Sequence, residues 1–332
     1  MIKAAVIGVG AMGQHHARVY AQLDETCLVG VTDTNAQAAE QVARLHHTQT
    51  FSDHHQMLDQ TNPDVVTIAV PTEFHHLVAL DALDAGCHVL VEKPIAATEE
   101  QALELIDRAE KVGRKLMVGH IVRFDPAVQA LKEHLDRGDL GRIFQVRCRR
   151  LGPFPSRVRD VGVVIDLATH DLDMIRFLTG QEVVRVYAET EQEIHSSYED
   201  ILVGTVRLAD GTIGLLDVNW LTPNKIRELT VTGERGMFLV DHLTQDLYFY
   251  ENAETNGERW SAISLLRGVS EGRMIRYPIQ KYEPLKAELQ AFVKAVSNDT
   301  AVPVNGQDGL AALRLAQALV RSGHEGRAVA IP

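Results

Sequence analysis

Cysteine is scarce, with only 3 in 332 residues: Cys27, Cys87 and Cys148. They lie far apart and form no C-x-x-C pair. That excludes a disulfide framework or a structural zinc module and points to a reduced, cytoplasmic setting. Basic charge is short as well. Lysine and arginine total 33 against 45 aspartates and glutamates, a formal net charge of −12. General binding to nucleic acid or to an anionic membrane depends on basic patches, so the balance argues against both. No apolar run reaches the length of a membrane span. No secretory leader is visible either, because Met1-Ile2-Lys3-Ala4-Ala5-Val6-Ile7 reads as a strand feeding a glycine loop. The 15 histidines contain no H-E-x-x-H. Pairs such as His15-His16, His54-His55 and His75-His76 read mostly as structural or surface residues, and no metal site is expected. Internal repeats and low-complexity tracts are missing too. What is there is 45% hydrophobic and 23% charged, an ordinary globular composition in a chain long enough for two domains.

Two rhythms follow one another. From the N-terminus to Gly119, strands predicted at 4–7, 27–32, 65–70, 88–91 and 116–118 alternate with helices predicted at 12–22, 36–45, 75–85 and 99–111. Such alternation predicts an α/β fold with a parallel sheet and right-handed crossovers. After His120 a helix at 126–136, a strand at 143–150 and a helix at 166–178 come first. Residues 183–250 then alternate apolar and polar, broken by turn signals at Asp210-Gly211 and Gly233-Glu234-Arg235-Gly236. Helices at 285–296 and 309–322 end the chain, and 251–273 reads as a loop or lid. The division is a dinucleotide-binding domain over 1–122 and an α+β domain with a mainly antiparallel sheet over 123–332.

Gly8-Val9-Gly10-Ala11-Met12-Gly13 matches G-x-G-x-x-G between a strand and a helix, in a βαβ unit ending at Val31-Thr32-Asp33. Gly8 permits the tight turn, Gly10 lets a pyrophosphate reach the backbone, and Gly13 lets the helix pack on the sheet. Ala11 and Met12 lie where the helix N-terminus faces negative charge. Asp33, 20 residues past Gly13, is placed to accept both ribose hydroxyls. A carboxylate there repels a 2′-phosphate and Thr34-Asn35 offer no arginine, so NAD is favoured over NADP. FAD uses the same fingerprint, but no further flavin signal stands out. Pro71, Thr72 and His75 follow the next core strand and would lie near the nicotinamide half of the cofactor. His75 either packs on it or is a helix-start histidine without a ligand.

Two further segments carry chemistry. Glu92-Lys93-Pro94 closes the apolar run 87–91, and the proline holds Lys93 extended at the ligand edge of the sheet. Glu92 and Lys93 thereby join the cofactor-facing set, and Lys93 can donate to an oxygen or act as an acid–base group. Asp166 and His170 are four apart in a helical stretch, where a carboxylate fixes an imidazole's tautomer and raises its basicity. A surface ion pair and a metal site are the other readings of that pair. Oxidising a secondary alcohol needs a hydride acceptor, a base for the hydroxyl proton and a donor to the developing alkoxide. NAD, His170 with Asp166, and Lys93 supply them, with His170 and Lys93 interchangeable as base and donor.

Gly8–Gly13, Glu92-Lys93-Pro94, Gly119-His120 with Arg123-Phe124, Asp166 with His170, and the ending Asp308-Gly309-Leu310 to Ser322 together resemble the glucose–fructose oxidoreductase/inositol dehydrogenase (Gfo/Idh/MocA) family. The resemblance implies a Rossmann domain, then an α/β domain whose open sheet serves as the interface of a homodimer or homotetramer. It also implies a catalytic Lys93 before a cis peptide bond, with Asp166 and His170 across the cleft. Residues 150–166 resemble the branch that oxidises the 3-hydroxyl of UDP-linked N-acetylated sugars such as UDP-N-acetylglucosamine. Arg147, Arg149, Arg150, Arg157 and Arg159 make a basic island there, and arginine forks suit a diphosphate. Arg150 and Arg157 join Lys93 and His170 as expected substrate contacts. A dehydrogenase of a free polyol such as inositol is the alternative, and a non-catalytic NAD-binding sensor is an alternative of another class.

Overall fold

The computed structural model describes residues 1–155, 161–195, 197–252 and 271–331. The chain folds as two units, Met1–Phe124 with Glu283–Arg314, and Asp125–Tyr282 with Leu315–Pro332. The first begins β1 (Ile2–Ile7), α1 (Gly13–Gln22), β2 (Thr26–Thr32), α2 (Ala36–His46), β3 (Thr50–Phe51) and α3 (His54–Thr61). It continues β4 (Val65–Ile68), α4 (Thr72–Asp84), β5 (His88–Glu92), α5 (Glu99–Lys111) and β6 (Leu116–Gly119). Among the described residues these strands form a six-stranded sheet ordered β3-β2-β1-β4-β5-β6, with every pairing parallel. Helices cover both faces, so Ala4, Ala5, Val6, Val65, Val66, Ile68, Val89, Leu90 and Val91 are all buried. That is why the strands read as continuous apolar runs rather than alternating ones. Strand order reverses between β1 and β4, which opens a crevice at the C-terminal strand ends. Gly8, Asp33, Pro71 and Lys93 all follow strands at that edge.

The second unit holds α6 (Pro126–Asp136), β7 (Ile143–Pro153), a π-helical turn (Val164–Ala168) that runs into α7 (Thr169–Thr179), β8 (Val183–Glu191), β9 (Ile201–Leu208) and β10 (Ile213–Asn219). It continues β11 (Leu221–Gly233), β12 (Gly236–Asp241), β13 (Asp246–Asn252), β14 (Glu271–Tyr277) and β15 (Val329–Ala330). Among the described residues the sheet is nine-stranded and open, ordered β14-β13-β12-β11-β7-β10-β9-β8-β15. It is antiparallel except where β10 runs parallel to β7. The expected loop over 251–273 is in part strand: Glu251 and Asn252 end β13 and Glu271 starts β14, while 253–270 lie outside the described residues.

Helices α8 (Pro284–Ser297) and α9 (Gly306–Glu325) follow β14. The packing differs here from the linear division at 122/123. Leu285, Leu289, Phe292, Val293, Leu310 and Leu313 are buried in the core that contains Tyr20, Val118 and Phe124, so Glu283–Arg314 belongs with the first unit. Among the described residues no helix is long and apolar enough to cross a membrane.

Candidate active site

In the first unit, Gly8 has φ +85°, and a Cβ on it would stand 2.7 Å from the Ala69 carbonyl oxygen. A Cβ on Gly13 would collide with the Gly8 carbonyl. Packing alone demands both glycines. Gly10 is different, because it is exposed and a Cβ there would meet nothing within 4 Å. Its missing side chain leaves an open cradle over the backbone, beside a helix whose first turn has neither a side-chain cap nor an acidic residue. The helix dipole, not offset by an acidic residue in the first turn, favours a phosphate at that spot. Asp33 Oδ2 accepts from the Val9 N–H at 2.7 Å, and Oδ1 accepts from the Asn35 N–H at 2.8 Å. The carboxylate is thus held at the edge with lone pairs left for hydroxyl groups. These residues fit a pyrophosphate and an unphosphorylated ribose. Asp33→Ala should therefore weaken NAD binding by about 10-fold or more, the loss expected for hydrogen bonds to a charged acceptor, and narrow the preference over NADP. Titration with each cofactor checks this, and an unaltered preference would undo the assignment.

Strand β5 delivers Glu92 and half-buried Lys93 to the same edge, and the Lys93–Pro94 peptide is cis. Glu92 is buried. Its Oε1 accepts from His16 Nε2 at 2.8 Å and its Oε2 accepts from the Lys93 N–H at 3.2 Å. Burial opposes its charge, but the His16 hydrogen bond and the electrostatic influence of His16, Lys93 and His75 outweigh it and hold the carboxyl below its ordinary range. His75 is buried, with Nδ1 2.7 Å from the Pro94 carbonyl and Nε2 2.9 Å from the Val70 carbonyl. Burial pushes its pKa down against those two backbone contacts. The ring ties the segment after β4 to the proline turn, and only its face or edge remains for a cofactor. Pro71, exposed, and Thr72, half-buried, start α4 beside it.

His16 and Glu288 were not singled out by the sequence. His16 shares a helical face with Gly13, Ala17 and Tyr20, all buried, and that spacing was the available signal. Glu288, on α8, is fully buried, and neither carboxylate oxygen has a hydrogen-bond partner among the described residues. Burial first, then the Glu92 charge, raises its pKa well above the carboxylate range. A carboxyl with a raised folded-state pKa contributes its stability below the unfolded pKa and loses it as pH rises. Glu288→Gln should therefore stabilise the fold by an increment that grows with pH above about 4.3, at about 1.4 kcal/mol per pH unit at most. Denaturant midpoints at about pH 5 and about pH 7 test this. An increment equal at both would mean that the carboxyl titrates normally.

In the second unit, Asp166 lies in the π-helical turn and His170 in the first turn of α7, both half-exposed above buried Met174, Ile175 and Leu178. The expected uninterrupted α-helix is thus a π turn leading into one, a feature that recurs at functional positions. Glu199 anchors its start. The Glu199 carbonyl accepts from the Val163 N–H at 2.9 Å, and its Oε1 accepts from the Val164 N–H at 3.2 Å. No sequence spacing pointed to Glu199.

The described members of the arginine island, Arg147, Arg149 and Arg150, have three different environments. Arg157 and Arg159 lie outside the described residues. Arg147 is exposed, and Arg149 pairs with Glu228 at 3.0 Å and Asp217 at 3.5 Å. Arg150 corrects an expectation. Only 7% exposed, it grips Asp171 through Nε at 3.0 Å and Nη2 at 2.7 Å, so its fork is engaged within the scaffold rather than open to substrate. The pleat supplies the reason, since Val146, Cys148 and Arg150 share the buried face of β7. Asp171→Asn should cost about 3 kcal/mol by leaving the guanidinium without its counter-charge. Chemical denaturation measures it, and a loss below about 1 kcal/mol would mean that water already screens the pair. Among the described residues, the cluster with ligand atoms close enough to share a cation is Asp53 with His54 and His55, and it includes neither Asp166 nor His170.

Comparison with known proteins extends these observations. Residues 2–120 match a family model described as an oxidoreductase family with an NAD-binding Rossmann fold. Residues 128–239 match the GFO/IDH/MocA C-terminal domain. A UDP-N-acetylglucosamine 3-dehydrogenase from Acidithiobacillus ferrooxidans is 30% identical over 308 residues, 93% of this chain and 93% of its own length. A solved structure of that enzyme superposes with a TM-score of 0.85, covering 97% of each chain. A myo-inositol 2-dehydrogenase from Thermotoga maritima is 25% identical over 340 residues, 99% of this chain and 98% of its own length.

Proposed function

Because the chain belongs to the GFO/IDH/MocA family of NAD-binding oxidoreductases, we propose that it oxidises the 3-hydroxyl of a UDP-linked N-acetylated sugar of the UDP-N-acetylglucosamine type. NAD, when bound, supplies the hydride acceptor. The Gly8–Gly13 loop and Asp33 hold its pyrophosphate and ribose in this reading. Lys93, on the turn braced by Glu92, His16 and His75, donates to the substrate oxygen as charge develops there. His170 takes the hydroxyl proton, with Asp166 fixing its tautomer. The converse assignment, Lys93 as base and His170 as donor, is separated by the variants argued in the Discussion.

The observation that carries the substrate class is the full-length likeness to a UDP-N-acetylglucosamine 3-dehydrogenase. The likeness to a myo-inositol 2-dehydrogenase supports a free polyol as the second reading. The test mixes near-stoichiometric protein and NAD with UDP-N-acetylglucosamine, N-acetylglucosamine or myo-inositol and follows nicotinamide absorbance. Stoichiometric protein is used so that a tightly held cofactor cannot hide a single turnover. Reduction confined to the UDP-sugar supports the first reading, and reduction confined to myo-inositol replaces it with the second.

A cytoplasmic location accords with three free cysteines. A homodimer or homotetramer through the second sheet accords with its exposed apolar residues: Val203 on β9, and the cross-strand neighbours Tyr250 and Met274. Light scattering on the full chain measures the assembly.

A further inference from the structure

Arg227, on β11, stands opposite Arg150 of β7 in the ladder. Its Nη1 donates to the carbonyls of Leu151 and Ile226 at 2.5 and 2.7 Å. Among the described residues no carboxylate lies within ion-pair distance of it. Burial, and after it the Arg150 charge, pushes its pKa down to about 10, with Asp171 and Asp166 opposing more weakly. Among the described residues, this half-buried cation thus meets carbonyl dipoles and another cation and no direct counter-charge. Arg150 has Asp171 and Arg149 has Glu228, so Arg227 stands apart from its neighbours.

The surroundings suit an anion. The ladder between β11 and β7 breaks register between Leu221 and Ile226, so residues 222–225 bulge opposite the end of β7. Exposed Lys225 lies in that bulge. A Cβ on Gly152 would meet only the Arg227 guanidinium nitrogens at 3.8 Å and Lys225 Cγ at 4.0 Å. Gly152, which carries no side chain, therefore faces two basic side chains in a chain of net charge −12. Nη1 is engaged by the backbone, which leaves the Nε and Nη2 edge of the guanidinium, a fork that matches two phosphate oxygens. The guanidinium also feels the Asp166 carboxylate, which relates Arg227 to the π-helical turn.

We propose that Arg227, assisted by Lys225, is the anion subsite that receives the diphosphate of the substrate and selects a nucleotide-linked sugar over a free one. The proposal rests on the UDP-sugar reading above and gives Arg227 the diphosphate role that the sequence had suggested for the arginine island with Arg150 and Arg157.

The experiment compares the full-length protein with Arg227→Met, Arg227→Lys, Lys225→Ala and Arg157→Ala. It measures KM and kcat on UDP-N-acetylglucosamine, UDP affinity by calorimetry, and NAD affinity as a check on folding. Arg227→Met should raise KM about 10- to 100-fold and weaken UDP by the same factor, the range for a lost charge-assisted pair, with a far smaller fall in kcat. Arg227→Lys should recover part of that loss, and Lys225→Ala should raise KM less. Unchanged KM and UDP affinity in Arg227→Met, with NAD affinity intact, would overturn the proposal. So would a KM rise confined to Arg157→Ala. A kcat loss with an altered pH profile at constant KM would also overturn it, assigning Arg227 to Asp166 instead of to substrate. If the parent protein oxidises myo-inositol and leaves UDP-N-acetylglucosamine untouched, the substrate reading itself fails and this inference with it. That result is distinct from an active parent with indifferent variants.

Discussion

Lys93→Met should lower turnover by about 10²- to 10⁴-fold, the range for losing a positioned acid–base group, and leave NAD affinity within a few-fold. Methionine keeps the length of the side chain and removes its ammonium. The contacts described for the turn run through backbone atoms and through the side chains of Glu92, His16 and His75. The Lys93 backbone N–H donates to Glu92 Oε2, Glu92 is tied to His16, and His75 meets the Pro94 carbonyl. Single-turnover nicotinamide absorbance with the UDP-sugar measures the loss, and fluorescence titration measures NAD. Retained turnover would exclude Lys93 from the chemistry. A parallel loss of NAD binding would instead give the ammonium to the cofactor.

His170→Asn should also cost about 10²- to 10⁴-fold in turnover with little change in NAD affinity. Asparagine can still hydrogen-bond but cannot carry the hydroxyl proton. His170 stands on α7 over buried Met174, Ile175 and Leu178, so the exchange at a half-exposed position leaves the helix packed. The pair of variants also separates base from donor. Whichever variant loses the limb of the kcat/KM profile that reports the base has lost the base. Turnover equal to that of the parent would remove His170 from the reaction.

Much of the first unit was legible because its signals are local. The glycine loop, Asp33 at the end of β2 and Lys93 at the end of β5 follow from strand–turn–helix spacing within a few residues. Continuous apolar runs marked β1, β4 and β5 as strands buried on both faces. The short β3 and α3 carried too little periodicity to be read, and the π turn was invisible because an i,i+4 pair fits an α-helix equally well.

Arginine roles show where linear reading stops. Clustering in sequence suggested one basic island, but the pleat sends Arg150 inward to Asp171, while Arg149 pairs with Glu228 directly opposite on the adjacent strand β11. Arg227 carried no signal at all, since its place depends on the ladder between β11 and β7. The sequence by itself determined the fold class, the nucleotide loop, the NAD preference expected of Asp33 and the residues proposed for chemistry, because each rests on backbone geometry over short spans. Only the tertiary structure decided that Glu283–Arg314 packs with the nucleotide-binding unit, that His16 and Glu288 lie behind Glu92, and that Arg149 and Arg150 are taken up by carboxylates. Those depend on partners from 21 to more than 190 residues apart, brought together by strand register and core packing rather than by any pattern along the chain.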